Sequence, residues 1–184
     1  MQSILMSINP YWWNLIKCGE KTIEIRKSMP IIKDDEPFKC FVYETHKGFG
    51  VGAVVGEFIC KKCVLLDYDS IAGGYWENGD FKYVDYYDDQ LKAFKNTRVT
   101  KDELMYYSHG RRIYGWFISE LKVYDKPIPL NKFYKFRCRD KYKSPEECPK
   151  NKYNMATERT QVTCSYGDCL IPLSSPPQSW FYVI

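Results

Sequence analysis

Ser3–Ile8 is a short apolar run that suits one strand. Behind it, Asn9 suits a helix N-cap and Pro10 the first helical position, where no N–H is needed. Gly19 falls where a left-handed C-terminal cap belongs. Between them, Pro10-Tyr-Trp-Trp-Asn-Leu-Ile-Lys-Cys18 gives about two and a half turns at ~3.6 residues per turn. So short a helix must bury one side, so one of Trp12 and Trp13 faces the core and the other is available to line a pocket. Strand alternation follows, with Ile23 and Ile25 on one face and Thr22, Glu24 and Arg26 on the other. Lys21 stands at the junction. A lysine, a carboxylate and a guanidinium thus arrive in one small region.

Further along, Phe38–Glu44 alternates as a strand and His46-Lys-Gly-Phe-Gly50 is a tight turn into a long strand, Val51–Leu66. Gly52 or Gly56 marks a bulge there. Residues 67–100 fit no clean period and read as an insertion, with a helix possible near Asp88–Lys95. Thr100 caps a better helix, Lys101–Ser108, in which Glu103 completes a capping box. Ile113–Val123 reads as a strand that Pro127 and Pro129 bring to an end. Ser144–Asn154 is polar and proline-bearing, which predicts a loop, and Val162–Ser165 and Trp180–Val183 read as closing strands. Many short strands with two or three short helices suit an α+β fold built on a small, partly open β-barrel.

A chain of 184 residues fits a single domain, 1–184. No apolar run reaches the eighteen or so residues of a membrane span, no signal peptide is evident, and eight cysteines without one read as reduced thiols. A cytoplasmic monomer is the expectation. The net charge of +4 is modest, and its distribution is more informative. Residues 67–103 carry nine acids against five bases, whereas residues 104–159 carry thirteen bases against six acids. The chain is therefore not a uniformly basic nucleic-acid binder. It has an acidic insertion near 67–100 and a basic, cysteine-bearing excursion near 137–170.

Gly19-Glu-Lys-Thr-Ile-Glu-Ile-Arg26 resembles the signature of the ASCH domains, a branch of the PUA-like superfamily, which reads Gly-x-Lys-x-x-Glu-x-Arg after a first helix. Gly19, Lys21, Glu24 and Arg26 match every fixed position. Val54-Val-Gly-Glu-Phe-Ile59, Gly115-Trp-Phe-Ile-Ser-Glu-Leu121 and Pro176-Pro-Gln-Ser-Trp-Phe-Tyr-Val183 add to the likeness, which covers most of 1–66 and 104–136 and the last ten residues. It implies a PUA-like barrel of the type common in phage and bacterial genomes, and RNA or a modified nucleotide as partner. One branch resembled here removes acyl groups from modified cytidine, but its working threonine is replaced by Glu24. Another is a ribonuclease using a lysine, a tyrosine and a serine, for which Lys21, Tyr11 and Ser179 are candidates.

The chemistry expected of the signature is a polar pocket. Lys21 and Arg26 would hold a phosphate or carbonyl oxygen, and Glu24 would accept from a base amine or move a proton. Trp12, Trp180, Ser179 and Glu57 are candidates to complete it. The competing reading is a solvent-facing strand whose Glu24 and Arg26 form a weak ion pair, and a Glu57 that faces water. On the pocket reading, Lys21→Ala and Arg26→Ala weaken binding and leave stability nearly intact. Lys132, Arg137 and Arg139, interleaved with Phe136 and Tyr142, have the ingredients for single-stranded nucleic acid, and equally those of an ordinary strand.

No cofactor motif is present: Gly48-x-Gly50-x-Gly52 lacks the helix and lysine of a phosphate loop. Cys60-Lys-Lys-Cys63 has ligand spacing, but residues three apart on a strand point to opposite faces, which argues against a chelate. Cys138, Cys148, Cys164 and Cys169 could hold zinc, although nine, fifteen and four intervening residues match no standard module. Two further functional classes stay open. One is an RNA- or nucleoside-directed hydrolase using Lys21, with Glu24 in place of the threonine. The other is a protein-binding role, such as a phage-encoded inhibitor of a host defence factor, acting through the acidic insertion.

Overall fold

The structure, a computed structural model, describes residues 1–31, 36–66, 75–77, 80–82, 94–136, 151–154, 159–162 and 170–183. Strand β1 (Ser3–Ile8) leads into helix α1 (Pro10–Lys17) and strand β2 (Ile23–Arg26). Strands β3 (Phe38–Glu44) and β4 (Ala53–Leu66) follow, then the short antiparallel pair β5 (Tyr75–Glu77) and β6 (Asp80–Lys82). Helix α2 (Lys101–Ser108) precedes the long strand β7 (Ile113–Ile128) and a single 3₁₀ turn, Leu130–Lys132. Five short strands complete the described chain: β8 (Tyr134–Phe136), β9 (Asn151–Asn154), β10 (Arg159–Val162), β11 (Leu170–Pro172) and β12 (Trp180–Val183).

Six of these strands make one sheet in the order β12-β1-β3-β4-β7-β2, in which β1 and β3 run parallel and the other pairs antiparallel. Side-chain alternation on β1 sorts its apolar residues onto both faces. Ile4, Met6 and Ile8 join Trp13 and Ile16 of α1 in the largest core cluster, and Leu5 packs with Tyr43, Val54 and Phe133 in a second. A third cluster seats Leu104 of α2 on Ile23, Ile25 and Ile113. The two helices thus dock at neighbouring places around β2.

The start of α1 follows the sequence expectation. Asn9 accepts a hydrogen bond from the Tyr11 amide at 2.9 Å, and Gly19 adopts φ +77° after the C-cap. Trp13 is the core tryptophan, 1% exposed, and its ring lies against the backbone of Gly56 on β4. A Cβ at Gly56 would stand 2.8 Å from that ring and 2.6 Å from the Lys122 carbonyl oxygen. Gly56→Ala is therefore expected to cost about 1–3 kcal/mol of stability by overpacking, read as a lower urea midpoint.

The described sheet is open, and no closed barrel is present among the described residues. Its edges are nevertheless tied by side chains: Arg26 on β2 donates to the Ser7 carbonyl, Trp180 on β12 donates to Ser28, and the Ile31 amide donates to Tyr182. Two element predictions are corrected. β7 continues through Pro127 to Ile128, because β2 pairs only with Tyr114–Phe117 and leaves one side of β7 unpaired near the proline. Asn151–Asn154, expected to be loop, is a strand paired with β10.

Candidate functional site

Lys21, Glu24 and Arg26 meet in the interior, at 2%, 6% and 6% exposure. Burial of both faces of β2 overturns the solvent-facing reading: Trp12 of α1 and the C-terminal end of β1 lie on the side that carries Glu24 and Arg26, and α2 packs on the other. Glu24 bridges the two cations, with Oε1 3.0 Å from Arg26 Nη2 and Oε2 3.5 Å from Lys21 Nζ. Lys21 Nζ also donates to the Thr97 carbonyl at 2.6 Å and sits 5.1 Å from the centre of the Trp12 ring. Arg26 donates to the carbonyls of Ser7 at 2.7 Å and Ser179 at 3.3 Å and touches the Met6 sulfur. Its buried Nε has no partner among the described residues.

This cluster forms the floor of a cavity of about 320 Å³. Ser7, Ile8, Asn9 and Trp12 wall it from β1 and α1, and Val99, Leu104, Tyr106 and Tyr107 from the approach to α2 and the helix itself. Glu103 also reaches the lining, but its Oε2 accepts from the Thr100 amide and hydroxyl, completing the expected capping box. With both floor cations charged, one carboxylate between them leaves a single positive charge uncompensated. Such a floor favours an anion or a strong hydrogen-bond acceptor.

Burial pulls the Lys21 amine below its ordinary value of 10.5, opposed by the Glu24 carboxylate and reinforced by the Arg26 charge. Burial also pushes the Tyr107 hydroxyl up. A depressed amine gives up its proton at a lower pH in the folded protein than in the unfolded chain. Wild type should therefore gain stability relative to Lys21→Met as pH rises from the folded value toward 10.5, with the burial cost present in full below that window. Urea denaturation of both proteins between neutral pH and 10.5 reads this difference, and a flat difference would contradict it.

Trp12, Lys21, Glu24 and Arg26 are brought together, and the other candidates stand elsewhere. Glu57 does not line the cavity: it accepts from Tyr124 at 2.6 Å and pairs with Lys39 at 3.4 Å. Desolvation raises its carboxyl, but the Tyr124 hydrogen bond and the Lys39 and Lys122 charges together bring it below its ordinary value. Ser179 takes part through its carbonyl, which accepts from Arg26 and from the Ser7 amide, and it is not a lining residue. Trp180 stacks edge-on with Trp116 and Tyr182, away from the cavity. Tyr11 is 60% exposed and packs on Trp12.

Lys132 is exposed in the 3₁₀ turn. Phe136 lies on β8, and its side chain is outside the described residues, as are Arg137, Arg139, Tyr142, Cys138, Cys148, Cys164 and Cys169. Most of the acidic insertion is outside them too. Among the described residues no group of three or more His, Cys, Asp or Glu side chains could hold a metal. Sequence reasoning missed Tyr106, Tyr107 and the Thr97 carbonyl. The capping box located α2, but nothing local says which face of β2 it covers.

The fold is similar to that of ASCH from Zymomonas mobilis in its crystal structures. The chain matches that structure with a TM-score of 0.55 at 15% identity, covering 98% of this chain and 87% of the other. The fold is that of an ASCH domain. Two variants of the Zymomonas protein agree. Its serine-to-alanine variant matches with a TM-score of 0.55 at 14% identity over 98% and 87% of the two chains. The tyrosine-to-phenylalanine variant matches with a TM-score of 0.50 at 16% identity over 72% and 78%. At these identities the likeness is one of fold. No family model matches the chain, and no curated protein matches it. The ASCH resemblance read in the sequence thus holds at the level of the fold. No helix among the described residues is long and apolar enough to cross a membrane.

Proposed function

We propose that the cavity beside α1 binds a nucleobase, presented by RNA or by a free or modified nucleotide. The observation that carries this reading is the buried Lys21–Glu24–Arg26 cluster set under an aromatic rim. A cavity of about 320 Å³ is in the size range of small-molecule sites, which begins near 300 Å³. Trp12 and Tyr107 offer faces on which a base would stack, and such stacking tolerates any base. Lys21 would donate to a base carbonyl or phosphate oxygen, and Glu24 would accept from an exocyclic amine. Arg26 is already committed to Ser7, Ser179 and Glu24, so its share is the charge and shape of the floor. The ASCH fold agrees with this reading through the PUA-like, RNA-binding character that the sequence resemblance implies.

Trp12 supplies the direct test. Titration with the four nucleoside monophosphates and with a short single-stranded RNA should quench tryptophan fluorescence saturably in wild type and much less in Trp12→Phe. No saturable quenching by any of them would overturn the proposal. A second reading, hydrolysis of RNA or of an acylated nucleoside, draws on the Lys21 amine, which burial holds below its ordinary value and whose neutral form could take a proton from an attacking water. Product formation from either substrate that disappears in Lys21→Met would support it.

A further inference from the structure

The sulfurs of Cys60 and Cys63 lie 3.6 Å apart, side by side on β4. This corrects the expectation that residues three apart on that strand point to opposite faces. Cys60 is opposite Ile118 and Cys63 opposite Trp116, so three steps on β4 face two on β7. The extra residue is a β-bulge, which restores both thiols to one face. Cys60 is buried, whereas Cys63 is partly accessible and packs at the edge of the main core cluster. Trp116 is paired with Cys63 on one side and Glu24 on the other, which puts the thiol pair two strands from the charge cluster.

We propose that Cys60 and Cys63 form a redox-active dithiol that closes to an intrachain disulfide on exchange with a low-molecular-weight disulfide such as oxidised glutathione. The two sulfurs need to approach by about 1.5 Å to reach the ~2.05 Å bond length. Within a bulge, where the ladder is already interrupted, that motion breaks no regular pairing. Cys63 attacks first, as a thiolate, because it is the accessible member. Its sulfur bonds one glutathione sulfur, the glutathione S–S bond breaks, and one glutathione leaves as thiolate. Cys60 then gives its proton to solvent and attacks the Cys63 sulfur, releasing the second glutathione. Two protein thiols are oxidised by two electrons, and one glutathione disulfide is reduced to two thiols. In the reduced pair the hydrogen bond with Cys63 and burial push the Cys60 thiol well up, and burial alone still opposes its ionisation once Cys63 carries glutathione.

The test incubates folded wild-type protein with graded ratios of oxidised to reduced glutathione, blocks remaining thiols with N-ethylmaleimide and maps peptides by mass spectrometry. Lys61 and Lys62 separate the two cysteines, so trypsin yields two peptides that only a disulfide holds together. The expected result is that linked pair, reversible by dithiothreitol, and in Cys60→Ser a stalled glutathione adduct on Cys63. Exposed Cys18 serves as the internal reference for glutathione reactivity. The proposal is overturned if wild-type Cys60 and Cys63 remain fully alkylated, or if Cys63 keeps its glutathione without closing, at ratios that modify Cys18. The wild-type result decides even where Cys60→Ser does not fold.

Discussion

Glu24→Ala is expected to lower the unfolding free energy by about 3–5 kcal/mol, the range for removing one partner of a buried ion pair. The carboxylate is 6% exposed and is the counter-charge of both Lys21 and Arg26. Without it, two cations face each other in the interior with neutral partners alone: backbone carbonyls, the Met6 sulfur and the Trp12 ring. The loss should appear in urea denaturation as a lower midpoint with an unchanged slope. Glu24→Gln keeps an acceptor and should fall between the two. In Lys21→Met, a further Glu24→Ala change should cost less than it does alone, because one stranded cation is already gone. A loss below about 1 kcal/mol for Glu24→Ala would mean the pair behaves as a screened surface bridge.

Lys21→Met should have the opposite profile, with a retained fold and lost binding. Methionine replaces the lysine stem with a chain of similar length, and Glu24 keeps its 3.0 Å contact with Arg26. What disappears is one cationic donor to the ligand. A hydrogen bond to a charged group contributes about 1.5–3 kcal/mol, equivalent to a ten- to hundredfold weaker nucleotide affinity at about 1.4 kcal/mol per decade. The measurement is a nucleotide titration of both proteins beside their denaturation curves. Arg26→Ala will not separate fold from binding in this way. It removes the ties to the Ser7 and Ser179 carbonyls as well as to Glu24, so the expectation of nearly intact stability is revised for that residue.

Much of the site's local frame is legible in the sequence. Asn9, Pro10 and Gly19 bound α1, and strict alternation puts Glu24 and Arg26 on one face of β2. Thr100 and Glu103 mark the start of α2. Local pattern fails where tertiary contact decides. A strand with charges at alternate positions reads as half exposed, and only the packing of helices on both faces of β2 makes it buried. The partner of Lys21, the Thr97 carbonyl, is 76 residues away along the chain and is a backbone atom that no side-chain motif could announce. Glu57 lies in a segment that fits the ASCH likeness, yet its strand register turns it toward Tyr124 and Lys39. The Cys60–Cys63 expectation failed for a different reason. Period-two reasoning assumes an unbroken ladder, and a single bulge shifts every later residue to the other face.

The most direct test of a nucleobase site built on Lys21 is an equilibrium titration of labelled single-stranded RNA, single-stranded DNA, duplex DNA and free nucleotides. It is run at low and physiological salt with wild type and Lys21→Met. Saturable binding of RNA or a nucleotide, weakened at least tenfold in Lys21→Met while the variant stays folded, is the expected result. Polymer binding should also weaken with salt as phosphate contacts are screened. Absence of binding to every ligand by the folded wild-type protein, or equal binding by wild type and Lys21→Met, would contradict it.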